Sequence, residues 1–212
     1  QTNMNVNEVI NHVGAKINPD VKIHPNDDVN KSQSSNDIFP SAMNIAAVKE
    51  IIPLMEALRG LIDTFRTKED EYKYVVKLGR THLQDATPIT FGQEISGWRS
   101  SLEHDLRNIK ALIPHLYELA LGGTAVGTGL NSPPAFDKVV CKYLDNAYGL
   151  PFCPAPNKFQ ALTSHAPFNL MHSAIKALAA DLVKIGNDIR FLASGPRGGY
   201  GEISIPENEP GS

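Results

Sequence analysis

Apolar residues recur at helical spacing over most of this chain. Between about Asp37 and Phe65, Ile38, Ala42, Ile45, Ile52, Met55, Leu58, Ile62 and Phe65 fall mostly three or four residues apart, as one helix face requires. Pro40 sits in the first turn, where its missing N–H costs little. Pro53 sits inside and is expected to bend the helix or remove one hydrogen bond. A second stripe, from about Thr90 to Ala120, runs through Ile95, Trp98, Leu102, Leu106, Ile109, Leu112, Leu116 and Leu119, with Pro114 as its irregularity. A third, from about Pro167 to Leu192, steps by four and three through Met171, Ile175, Leu178, Leu182, Ile185, Ile189 and Leu192, the pattern of a coiled-coil seam. Shorter helices fit Met4–Ile17 and Pro134–Ala147. The stretches between are rich in Asn, Ser, Thr, Gly and Pro and read as loops. No run alternates with period two for long enough to build a sheet.

At 1.5 Å per residue each long helix would span roughly 40–45 Å, against a diameter of about 34 Å for a compact sphere of this chain length. The expectation is an all-α fold, an elongated bundle of long helices that buries some of its stripes against other subunits. A short helix and polar loops would occupy 1–36, the long-helix bundle 37–195, and a Gly/Pro-rich segment 196–212. The formal charge is −3, with 42% hydrophobic and 20% charged residues. That balance excludes a disordered chain and argues against non-specific nucleic-acid binding or attraction to an anionic membrane. No apolar run reaches the roughly 18 residues that span a bilayer. Cys141 and Cys153 are too few for a disulfide scaffold and read as reduced thiols of an intracellular protein. Gln1 is not an initiator methionine, and PENEPGS ends on a turn, so the chain reads as a piece of a longer one.

Polar residues concentrate in four loops at helix ends, where rigid scaffolds usually carry function. Ile23–Asp37 (IHPNDDVNKSQSSND) runs into the first long helix. One of Ser34, Ser35 and Asn36 should cap that helix, and the same hydroxyls, amide and free N–H groups suit a carboxylate. His24 with Asn26 and Asp27 is either a second polar site or a hydrogen-bonded turn. Leu78–Thr90 (LGRTHLQDATPIT) places His82 in a polar loop, with Asp85 three residues on as a candidate carboxylate orienter for acid–base work. Leu121–Asn131 (LGGTAVGTGLN) has four glycines in eight residues, which means tight turns or close approach of another chain. It follows a helix rather than a strand, so it is not a dinucleotide fingerprint. Ser194–Ser212 is a long Gly- and Pro-rich loop, usually functional or disordered. His and Cys lack metal-ligand spacing, and no nucleophile elbow is present.

HPNDDVNKSQSSND, GRTHLQDATPIT, LGGTAVGTGLN, APNKF and SGPR…GEISIPENEPGS together strongly resemble the class II fumarase family, and the resemblance runs from Thr2 to Ser212. QSSND, GGTAVGTG and PENEPGS favour fumarase over aspartase. The resemblance implies an all-α subunit of a homotetramer, with active sites built from several subunits. It implies reversible hydration of fumarate to L-malate with no metal and no organic cofactor, in the cytoplasm or mitochondrial matrix, the cytoplasm preferred. Ser212 would be the base, activated by nearby donors and positive charge. His82 would handle the proton of the water or hydroxyl. Thr81, Ser34, Ser35 and Asn36 would hold substrate carboxylates, and His24, Pro25, Asn26 and Asp27 would form a second dicarboxylate site. The family continues past Ser212 with a loop that supplies a lysine and an asparagine. The piece alone is therefore expected to be inactive. Val21 stands where many relatives carry an arginine, and His165-Ala166-Pro167 replaces a more usual His-Asp-Ala.

Overall fold

The computed structural model describes residues 1–207, 209 and 210. The fold is all-α in class. Helices α1 (Thr2–Ile17), α2 (Ser35–Glu71), α3 (Phe91–Tyr117), α4 (Phe136–Tyr148), α5 (Lys158–Thr163) and α6 (Ala166–Leu192) carry most of the chain. Strands β1 (Val76–Thr81) and β2 (Gln84–Thr90) form an antiparallel hairpin, and β3 (Glu118–Leu119) pairs in parallel with β4 (Cys153–Pro154). Among the described residues no helix is long and apolar enough to cross a membrane.

Two compact units divide the chain. One comprises Gln1–Leu54 with Lys110–Met171, the other Met55–Ile109 with His172–Ser212. The first is centred on Val48, Ile51, Ile113, Leu116, Leu119 and Phe152, the second on Leu58, Ile62, Trp98, Leu102, Ile109 and Leu178, all buried.

The long helices follow the expected stripes with two physical corrections. On α2 the inward face is Asp37, Ser41, Asn44, Val48, Ile51, Met55, Leu58 and Ile62, stepping by four and three. Ile38, Ile45 and Ile52 are only half-buried and Ala42 is exposed, so the true seam begins with three polar residues. Those three bond to backbone: Asp37 to the loop after α3, Ser41 Oγ to the Asp37 carbonyl (2.6 Å), and Asn44 Nδ2 to the Glu118 carbonyl (3.0 Å). The helix also continues past Phe65 to Glu71. Its last turns are charged, and Lys68 pairs with Glu71 one turn on (2.7 Å), which supports a helix without an apolar stripe. On α6, Met171, Leu178, Ile185 and Leu192 are buried while Leu182 is 40% exposed, so only alternate seam positions face the chain's own core.

The hairpin corrects the expectation of a loop between helices. Its burial pattern is inverted: Lys77 is half-buried and ion-paired, while Val76 and Leu78 are exposed. The short alternation Val76-Lys77-Leu78 therefore points its apolar residues away from the protein. Gly79 marks a register shift between Leu78 and Arg80, and a Cβ there would lie 2.5 Å from the Thr87 carbonyl oxygen. Helix α5 was also unforeseen; Asn157 caps it by accepting from Gln160 N–H (2.9 Å).

Candidate active site

In the first unit, Ser34 caps α2. Its Oγ accepts from the Asn36 N–H (3.2 Å), and its own N–H donates to Asp37 Oδ1 (2.8 Å), a reciprocal capping box. Asp37 is fully buried, and its Oδ2 accepts from the N–H groups of Gly122 and Thr124, both at 3.0 Å. One carboxylate thus ties the helix start to the glycine-rich loop. Gly122 (φ +89°) and Thr124 (φ +54°) adopt the left-handed conformations that aim both N–H groups at it. Asn36 Nδ2 donates to the Ala125 carbonyl (2.8 Å), and Ser35 Oγ accepts from Asn3 Nδ2 (3.1 Å). The Ser34 and Ser35 oxygens are acceptors here, which leaves their hydroxyl protons to donate. One Asn36 amide hydrogen is already committed. Ser35 and Asn36 are exposed and Ser34 is half-buried. Asp37 was missed as a site organiser, although the Ser-x-x-Asp spacing of a capping box was present.

His24, Pro25, Asn26 and Asp27 form a hydrogen-bonded turn in the same unit. The Asp27 N–H donates to His24 Nδ1 (3.0 Å), and the His24 N–H donates to Asp28 Oδ2 (2.8 Å). The His24 N–H and the Lys31 ammonium beside Asp28 (3.1 Å) hold its carboxyl below the usual range. His24, Asn26 and Asp27 are exposed.

Thr81 and His82 belong to the second unit. Thr81 pairs with Gln84 to close the hairpin, and His82 (φ +52°) and Leu83 (φ +62°) form its two-residue turn. Both central residues have positive φ, as a type I′ turn requires, a geometry normally given to Asn-Gly. His and Leu there store backbone strain, a feature concentrated at functional sites. His82 lines an open groove of about 850 Å³ together with Arg80, Asn187, Asp188, Arg190 and Ser194. Asp85 lies opposite Arg80 in the ladder, and among the described residues no hydrogen bond joins it to His82.

The groove wall carries the charges of Lys77, Arg80 and Glu94. Glu202 pairs with Arg80 and, at 3.0 Å, with Lys77, which also pairs with Glu94. The Arg80 guanidinium stacks 4.4 Å from the Tyr200 ring centroid. Burial pushes the Glu202 carboxyl up, but hydrogen bonds from Arg80 and Lys77 outweigh it and hold it below the usual glutamate value. Ser212 lies outside the described residues. Among the described residues no group of three His, Cys, Asp or Glu side chains is placed to hold a metal ion.

The chain is 56% identical to the fumarate hydratase class II of Staphylococcus haemolyticus and to that of Helicobacter pylori, in each case over 100% of this chain and 47% of the relative. It therefore spans about half the length of the curated relatives it matches. The crystal structure of a class II fumarase from Schistosoma mansoni superposes with a TM-score of 0.94 at 41% identity, over 100% of this chain and 49% of that one. A family model described as a lyase matches residues 1–212. By that full-length match, the chain belongs to the lyase family.

Proposed function

We propose that this chain is the central part of a class II fumarate hydratase, which adds water reversibly to fumarate to give L-malate. The observation that carries the reading is 56% identity over the whole chain to proteins of that name. The site chemistry supports it. In the dehydration direction a base removes a proton beside a carboxylate, leaving a dianionic aci-carboxylate that needs preorganised donors. We assign Ser34, Ser35, Asn36 and Thr81 to the substrate carboxylates. We assign His82 to the proton of the water or hydroxyl, and Ser212 to carbon-proton abstraction. His24, Pro25, Asn26 and Asp27 form an accessory dicarboxylate site. A homotetramer with active sites assembled from several subunits completes the reading, with a cytoplasmic location suggested by the bacterial relatives.

The test is an absorbance assay on a full-length protein carrying this sequence. Loss of fumarate absorbance in ammonium-free buffer, unchanged when ammonium is added, is the expected result. Loss that depends on ammonium would assign an ammonia-lyase instead.

A further inference from the structure

The His82 turn is strained and part of a two-stranded hairpin, an element that is marginal by itself. Something must hold it. The ladder is interrupted by a register shift between Leu78 and Arg80, which separates the turn end from the rest of the pairing. Apolar burial supplies little, because Val76, Leu78 and Leu83 are exposed. Glu94 pairs with Lys77, but among the described residues the carboxylate that reaches both Lys77 and Arg80 is that of Glu202. Glu202 reaches Arg80 with one oxygen and Lys77 with the other (3.0 Å), so it spans both ends of β1. Arg80 immediately precedes the pair Thr81–His82. Glu202 is itself fixed by backbone: its N–H donates to the Leu192 carbonyl at the end of α6 (2.9 Å), and the Gly201 N–H donates to the Ser194 carbonyl (2.6 Å). Tyr200 packs on Phe191 of α6 (ring centroids 4.5 Å apart) and presents its face to Arg80. The clamp therefore runs from the C-terminal end of α6, through Glu202, to Arg80, two positions before His82.

The geometry points to Glu202 as a positioning residue of the proposed hydratase: by bridging Lys77 and Arg80 it holds the turn that sets His82 over the groove. This rests on the assignment of His82 to proton transfer. Glu202 does not touch substrate in this role; it acts through Arg80 and the hairpin. Arg80 is the stronger limb, since its planar fork meets a carboxylate on one side and an aromatic face on the other. Misplacement of a catalytic group by about 1 Å costs on the order of a hundredfold in rate, so a loosened hairpin is felt in turnover before it is felt in stability.

The test uses a full-length protein carrying this sequence, with four variants. His82→Asn establishes whether the underlying assignment holds; if its turnover is unchanged, that assignment fails and Glu202 is not at issue. With His82→Asn impaired, Glu202→Gln is expected to lower kcat roughly tenfold to a hundredfold. Its unfolding midpoint should stay within about 3 °C of the parent, and the Leu83 and Gln84 amides should exchange faster with solvent. The charge swap Glu202→Arg with Arg80→Glu, which restores an opposite-charge pair between positions 80 and 202 but not with Lys77, is expected to recover part of kcat. Asp63→Asn, which removes an exposed ion pair on α2, serves as the control and should leave kcat unchanged. An unchanged kcat in Glu202→Gln overturns the inference. So does a fall in kcat that merely tracks a collapse in unfolding midpoint and is not recovered by the swap.

Discussion

His82, assigned above to proton transfer, and Asp37, which ties the start of α2 to the glycine-rich loop, each yield a test. In a full-length protein carrying this sequence, His82→Asn should lower turnover by roughly a hundredfold or more, the range for loss of a positioned acid–base group. KM should change less, because the carboxylate donors assigned to Ser34, Ser35, Asn36 and Thr81 remain. Steady-state kinetics on fumarate separates the two effects. Asp37→Ala should instead act on stability. It leaves the N–H groups of Ser34, Gly122 and Thr124 without their acceptor, two of them in a buried loop, for a loss of about 3 kcal/mol measured by denaturant unfolding. Asp105 gives a pH test. It is 4% exposed, and its Oδ2 has no hydrogen-bond partner among the described residues. Burial, then the charge of Asp181 and a hydrogen bond to it, raise its carboxyl above the usual 3.8, against a smaller opposing effect of His104. The folded state therefore holds this proton more tightly than the unfolded chain. Its stabilising contribution is complete below pH 3.8 and is lost as pH rises through the higher folded value. Asp105→Asn should raise the midpoint near neutral pH by about 3 °C and flatten the dependence just above pH 4.

At the level of elements, legibility followed how directly burial is written in apolar side chains. The bounds of helix α6 are readable almost to the residue, although of its seven seam positions only Met171, Leu178, Ile185 and Leu192 are buried. The start of α2 was read one position out of phase. Its inward face opens with Asp37, Ser41 and Asn44, which are buried for their hydrogen bonds to backbone, and a stripe traced through isoleucines drifts off it. The hairpin was invisible for a related reason. Its inward positions are Lys77 and the glycine at 79, and an ion pair leaves no mark in hydropathy. The candidate residues themselves were legible as polar clusters. What held them was not: the carboxylates of Asp37 and Glu202 grip backbone or charges 85 and 122 residues away in sequence.

For the whole molecule, the stripes that do not close within the chain bear on assembly. Leu170, Leu182 and Val183 on α6 remain exposed at 49, 40 and 64%. The proposed tetramer would cover them. Light scattering at micromolar concentration should therefore give an oligomer, and Leu182→Lys should dissociate it, since a charge buried without a partner is costly. A monodisperse parent monomer would remove that part of the proposal. The central claim, addition of water across a carbon–carbon double bond of fumarate, is tested most directly by proton NMR in D2O. A full-length protein carrying this sequence should convert fumarate to L-malate bearing one deuterium on the carbon beside a carboxylate. Conversion should be unaffected by a metal chelator and slowed roughly a hundredfold or more by His82→Asn. Fumarate that persists unchanged under these conditions, or malate formed equally fast by the His82→Asn protein, would contradict the account.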